Sequence, residues 1–286
     1  MKKLVFIAAL SVALAPCVAR PALAQSRPLA TEDPEVVGPG QILFEAGIDY
    51  GHDMFYPASG LTGNLWRVGT FGFNFGVSSI AEIQLKGGLR DVFSITNRQP
   101  APLSPMLTVP IGAVSTSDFP DGSIGAKVRF LPETARRPSM AVKFSTRLPN
   151  EGNESGLGLD TTDFNFGIAI AKTVQSSRVV GNFGFGILGD PVRGDNQNDV
   201  LNYGASIARA VRTGLEVVAE LNGRLNTRSG TAPIGTESRS IMRIGTRFTR
   251  GSVRVDGAFL AGVTERDPSW GFTAGMTWVF KAFTVQ

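Results

Sequence analysis

His52, the chain's one histidine, is followed directly by Asp53, two of the three residue types a nucleophilic triad needs. No serine or orienting partner is fixed beside them by spacing, so the pair reads as a solvated histidine at the start of a long loop. Asp190, Asp195 and Asp199 are close enough in sequence to gather around a hard cation such as calcium. In an exposed loop, however, such residues are ordinarily hydrated. The Gly156–Gly158 stretch lacks the strand, lysine and helix of a phosphate-binding loop and reads as flexible chain. Cys17 is the single cysteine. These residue types nominate no catalytic residue, no metal site and no cofactor, and the expectation is a protein that is not an enzyme. What remains is a set of charges at even spacing: Lys86 and Arg90, Lys127 and Arg129, Lys143 and Arg147, Glu216, Glu220 and Arg224, Arg243 and Arg247, Arg254 and Asp256. On a strand each group shares one face, because side chains alternate with period 2.

The strands that must carry them are visible from Gly40 to Phe280 as segments of about ten residues in which apolar and polar side chains alternate. Phe272, Ala274, Met276, Trp278 and Phe280 oppose Thr273, Gly275 and Thr277, and Phe164, Phe166, Ile168 and Ile170 oppose Asp163, Asn165 and Gly167. About twelve such segments occur. Brief links fall at Ser78-Ser79, Pro132–Pro138, Gln175–Ser177, Arg212–Gly214 and Gly251, alternating with long polar ones at His52–Gly63, Phe93–Gly122, Pro149–Thr162, Gly189–Asp199 and Thr227–Arg239. This rhythm predicts an all-β fold: a closed antiparallel transmembrane β-barrel of about 12 strands, with short periplasmic turns and long extracellular loops. A soluble periplasmic sandwich or small barrel would show the same alternation with the apolar face turned inward. Near-uniform strand length, the loop rhythm and the aromatic ending at Trp278 and Phe280 favour the membrane barrel, and that ending suits recognition by barrel-assembly machinery.

Magnitude decides which face meets lipid. A lysine or arginine facing lipid at mid-depth costs about 2–4 kcal/mol. The charged phase must therefore line the lumen, where basic groups outnumber Glu45, Asp49, Glu82, Asp163, Glu216, Glu220 and Asp256. Arg67 breaks the pattern by sharing a phase with Phe71, Phe73 and Phe75. Either it reaches headgroups at the rim, or a bulge at Gly69 flips the phase so that Trp66 and Val68 face outward with the phenylalanines.

Residues 1–24 read as a signal peptide: Met1-Lys2-Lys3 is basic, Leu4–Ala15 is apolar, and Ala22-Leu23-Ala24 fits a cleavage site. Removing Lys2, Lys3 and Arg20 leaves 25 basic and 24 acidic residues, so the charge of +4 falls to +1 and nucleic-acid binding loses its support. Residues 25–40, with Pro28 and Pro34, read as a periplasmic lead-in outside the sheet, and residues 41–286 as the outer-membrane barrel of a Gram-negative bacterium. Outer-membrane lipid, lipopolysaccharide, the assembly machinery and a small-molecule solute are the expected partners.

Asp121-Gly122-Ser123-Ile124-Gly125-Ala126-Lys127, Leu148-Pro149 followed by Gly158 and Thr162-Asp163-Phe164, Gly184, Gly189-Asp190-Pro191, and Glu220 with Gly223 occur in an order that resembles the outer-membrane proteins grouped as the meta-pathway of phenol degradation family. Thr31-Glu32-Asp33 to Gly38-Pro39-Gly40 extends the resemblance, which spans about Thr31 to Phe280. It implies an outer-membrane barrel of transporter type with a link to aromatic compounds, and brings no catalytic residues. The function expected is an outer-membrane channel or transporter for small molecules, aromatic or anionic. Reversing Arg243 and Arg247 is the natural test of anion preference. Two alternatives stand beside it: a non-conducting barrel that displays its loops, and a membrane-embedded lipid-modifying enzyme dependent on His52.

Overall fold

The computed structural model describes residues 26–285. The expected signal peptide, with Cys17, and Gln25 at the head of the lead-in lie outside the described residues. Apart from two three-residue 3-10 turns, Ser104–Met106 and Asn153–Ser155, the regular structure is antiparallel strand. The strands are β1 (Gln41–Tyr56), β2 (Leu61–Gly76), β3 (Ala81–Gly87), β4 (Arg90–Arg98), β5 (Ser115–Asp118), β6 (Gly122–Leu131), β7 (Ser139–Leu148), β8 (Asp163–Val174), β9 (Ser177–Gly189), β10 (Gln197–Arg212), β11 (Leu215–Asn226), β12 (Arg239–Arg250), β13 (Val253–Gly262) and β14 (Trp270–Lys281).

Successive strands pair as a meander, and β1 closes the sheet by pairing β14 from Gln41 opposite Lys281 to His52 opposite Trp270. β3 and β4 both pair with β2 and so form one broken position in the wall. β5 and β6 form the next, pairing with β4 and β3 respectively. The result is a closed antiparallel barrel of twelve strands, as the periodicity predicts.

The two faces of the sheet differ as the lipid argument requires. Phe183, Phe185, Phe164 and Phe166 are more than half exposed on the outside, together with Phe144, Ile244, Val255 and Phe259. Glu82, Lys127, Glu220, Arg247 and Arg254 are buried on the inside. The arrangement is an oily belt around a polar interior, the reverse of a soluble sandwich. Arg67 follows the second of its two options. Gly69 has φ +66°, a conformation that glycine adopts without steric cost, and the register shifts between Gly47 and Ile48 on the facing strand. Trp66 and Val68 therefore face out, while Arg67 meets the buried Asp91 inside at 3.2 Å.

The five brief turns are where the alternation puts them, and the long loops lie at the opposite end. Two loops are corrected. Of the predicted Phe93–Gly122 link, residues 93–98 belong to β4 and 115–118 form β5. Residues 52–63 are mostly strand, because β1 and β2 run on as a hairpin closed by Pro57–Gly60. Beyond a bulge at His52-Asp53, where Asp53 has φ +59°, the phase inverts and turns Met54 and Tyr56 inward. There they pack with Leu61, Leu65, Phe93, Leu157, Ile95 and Leu107 in an apolar cluster at the loop end. The proline-rich stretch from residue 99 to 114 joins that hairpin to the next loop: Leu103 N–H donates to the Ala58 carbonyl of the hairpin, and Thr108 N–H to the Glu154 carbonyl between β7 and β8.

Candidate functional site

The lead-in does not hang free of the barrel. It stays outside the sheet but turns back from the start of β1 into the barrel, and residues 26–39 cross the lumen in its turn-end half. The cause is charge. Glu32, Asp33 and Glu35 supply the acid that an interior rich in lysine and arginine lacks, and burial of unpaired charge is costly. Glu32 pairs with Lys86 at 2.6 Å. Asp33 is clasped by the Arg178 guanidinium, and Glu35 pairs with Arg129. The backbone of the segment is held as firmly as its side chains. Ala30 and Thr31 N–H donate to the Glu220 carboxylate, Glu32 N–H to Asn182 Oδ1, and Val37 N–H to Glu82. At the far end Arg27 donates to Thr273 Oγ1 and pairs with Asp256 at 3.5 Å. Leu29 meets Ala208 and Val218 in a small apolar contact.

The residues nominated by spacing are distributed around this segment. Lys86 and Arg129 bind it by ion pairs, as above, and Asp256 through Arg27. Lys127 is 2% exposed, with Nζ 3.1 Å from Glu82 and 2.8 Å from the Asp33 carbonyl. Lys143 donates to Asn182 Oδ1 at 3.0 Å, beside the segment. Glu220 joins the segment to Arg243, which lies 2.7 Å away and also donates to Asn222. Glu216 collects Arg247 at 2.9 Å and Arg254 at 3.6 Å. Arg147 is engaged by Asp121 and Asp163. Arg224 donates to the carbonyls of Gly235 and Glu237.

Arg90 is the exception. It lies on the outer side and donates to Ser117 Oγ at 2.6 Å. The break at Gly88-Leu89 inverts the phase, so Asp91 and Phe93 point inward and Arg90 does not. His52 is corrected too. It stands on β1 in the outward aromatic cluster, 5.2 Å ring to ring from Trp270 and 3.4 Å from the Tyr50 hydroxyl. That is a girdle position, not a loop.

Above the segment the lumen opens into two chambers. One, of about 500 Å³, has Arg27–Ala30 as its floor and Asp49, Arg67, Arg224, Arg239 and Arg243 in its wall. The other, of about 460 Å³, shares Asp49, Arg67, Arg224 and Arg239 and extends to Arg147, Glu151, Gly87 and Pro120. Arg224 and Arg239 are cross-strand neighbours on β11 and β12. Among the described residues neither has a carboxylate within ion-pairing distance, and Arg239 Nε is buried without a hydrogen-bond partner. Two adjacent guanidinium groups on the wall of a wet chamber attract an anion.

Spacing missed Arg27, Glu32, Asp33, Glu35, Arg178 and Arg239. The signal for Glu32, Asp33 and Glu35 was present, an acidic run beside a barrel with surplus basic groups. Arg239 was hidden by its place at the margin of a predicted loop.

No family model matches the chain, and no curated protein does. Solved structures do. The COG4313 outer membrane channel from Pseudomonas putida F1 superposes with a TM-score of 0.59 at 13% identity, covering 87% of this chain and 98% of that one. The NanC porin gives a TM-score of 0.48 at 6% identity over 82% of this chain and 98% of its own. The TodX deltaS2S3 mutant monoaromatic hydrocarbon channel gives 0.42 at 10% identity, over 86% and 91%. At such identities the likeness to the first establishes the fold, that of an outer-membrane β-barrel, and the other two add no argument.

Proposed function

We propose that the chain is an outer-membrane channel for small molecules that favours anionic solutes, exported through its N-terminal signal and narrowed by its own residues 26–39. The observation that carries this reading is the pair Arg224 and Arg239, neither of them ion-paired among the described residues, on the wall of the two chambers. A wall that only filled space would pair its charges, as Glu216, Arg247 and Arg254 do. The turn end is then periplasmic and the loop end extracellular, with lipid and lipopolysaccharide around the phenylalanine belt and assembly by the barrel machinery. The order of glycine-rich motifs favours kinship with the phenol-degradation meta-pathway family, and an aromatic carboxylate fits both the arginines and the nearby Tyr56, Leu157 and Leu188.

The test is ion selectivity of the refolded barrel in a planar bilayer. Arg224→Glu with Arg239→Glu should lower the chloride-to-potassium permeability ratio several-fold, the scale of a ~1 kcal/mol change in wall–ion interaction. Arg243→Glu should do less, because Arg243 already faces Glu220. An unchanged ratio in the double variant would remove the chambers from the ion path. The second reading, a non-conducting barrel that presents its loops, draws on the same lumenal segment; complete absence of current would favour it.

A further inference from the structure

A third cavity, of about 240 Å³, lies between residues 30–32 of the lumenal segment and the wall from β7 to β11. Ala30, Asn202, Asn222 and Gly223 line both this cavity and the first chamber, so solute that reaches the chamber reaches the cavity too. Its wall is made of carboxamides. Asn165 on β8, Asn182 on β9, Asn202 on β10 and Asn222 on β11 stand on the lumenal phase of four successive strands. Glycine clears the space they need. A Cβ on Gly186 would lie 2.9 Å from Asn165 Oδ1 and 3.0 Å from Asn202 Nδ2, and one on Gly204 would lie 2.8 Å from Thr31 Oγ1.

The hydrogen-bonding capacity of these groups is only partly used. Asn202 Nδ2 donates to Asn165 Oδ1 at 2.9 Å, and Arg243 donates to Asn222 Oδ1. Among the described residues that leaves the amide hydrogens of Asn165 and Asn222 and the Asn202 side-chain carbonyl without partners. The buried Thr31 hydroxyl is unpartnered as well. Charge adds a second constraint. Lys86 pairs with Glu32 and Lys127 with Glu82, which leaves Lys143 as the surplus cation. It donates to Asn182 Oδ1, and among the described residues no carboxylate lies within ion-pairing distance of it. A half-buried ammonium held by an amide is completed by an anion. Donors and acceptors side by side match a run of hydroxyls, each of which gives and takes a hydrogen bond. Drug-sized ligands occupy sites of about 300–1,000 Å³, so this smaller cavity suits a solute of monosaccharide size.

We propose that the cavity is a binding site for small polyhydroxylated acids of the sugar-acid class, with the carboxylate on Lys143 and the hydroxyls on the carboxamides of Asn165, Asn202 and Asn222. The guanidinium groups of Arg224 and Arg239 attract any anion, whereas this cavity selects by hydroxyls. It rests on the channel reading only for delivery of solute through the chamber.

The test is titration calorimetry of the refolded barrel in micelles with three probes of one chain length. D-Gluconate carries both features, D-glucitol has the hydroxyls without the carboxylate, and hexanoate has the carboxylate without the hydroxyls. D-Gluconate should bind at least about tenfold more tightly than either control. Lys143→Met should erase the advantage over D-glucitol. That substitution strands no carboxylate, and Asn182 Oδ1 keeps the Glu32 N–H, so the fold is retained. Asn165→Ala with Asn202→Ala removes a hydrogen-bonded pair together and should erase the advantage over hexanoate instead. Parity of D-gluconate with either control in the parent, or no binding of it, would overturn the site whether or not a variant folds. Binding of D-gluconate that survives Lys143→Met unchanged would overturn it equally. Chloride selectivity of the same preparation in a bilayer separates the two readings. Anion preference without D-gluconate binding would overturn the site alone, and selective D-gluconate binding without any current would uphold the site while ending the channel reading.

Discussion

Glu82 and Lys127 show how a single interior pair fixes the barrel to its plug. Glu82 accepts from Lys127, from Asn74 and Gln84, and from the Val37 N–H of the lumenal segment. Both side chains are almost wholly buried. With so many donors converging, the carboxylate is well solvated by protein, and removing the one opposite charge leaves it stranded. Lys127→Met should cost about 3–5 kcal/mol, read as a fall in the urea midpoint of the barrel in micelles. Adding Glu82→Gln should recover part of that loss, because the uncompensated charge is then gone. A Lys127→Met variant as stable as the parent would show that water, not Lys127, satisfies Glu82.

Among the elements, the loop from residue 149 to 162 carries its own pH response. Glu151 is buried at the loop end with Oε1 lacking a partner, and its backbone N–H donates to Asp121. Burial first, and then the neighbouring Asp91, push its carboxyl up to about 8, against the opposing pull of Arg67. The docked loop thus keeps a proton that the undocked loop releases near pH 4.5. Docking is strongest below that value, weakens as pH rises toward 8, and is constant above it. Amide exchange in residues 152–158, corrected for intrinsic rate, should accelerate at least tenfold between pH 5 and 8.5, and Glu151→Gln should flatten that dependence. A parent loop whose corrected exchange does not change with pH would contradict the assignment. The strands and brief turns that hold such loops were readable from alternation alone, since lipid on one side and charge on the other impose period 2. Three features were not readable, for definite reasons. The bulge at His52-Asp53 and the break at Gly88-Leu89 each invert the phase, which misplaced His52 and Arg90. Residues 26–39 have no periodicity at all, and only their complementary charge explains where they lie.

At the scale of the whole molecule, twelve strands enclose an interior too wide to be filled by wall side chains and narrower than that of the large porins. The chain settles the matter with its own N-terminal segment, which fills the turn-end half and leaves the loop-end half to the two arginine-walled chambers. The outer belt of phenylalanines and the inner salt bridges make this division stable. The proposed water-filled passage takes its width from residues 26–39. Its most direct measurement is single-channel conductance of the refolded barrel with and without residues 26–37, in the same salt and detergent-free bilayer. A small current is expected in the intact protein and one several-fold larger in the shortened protein; equal currents, or none in either, would contradict such a passage.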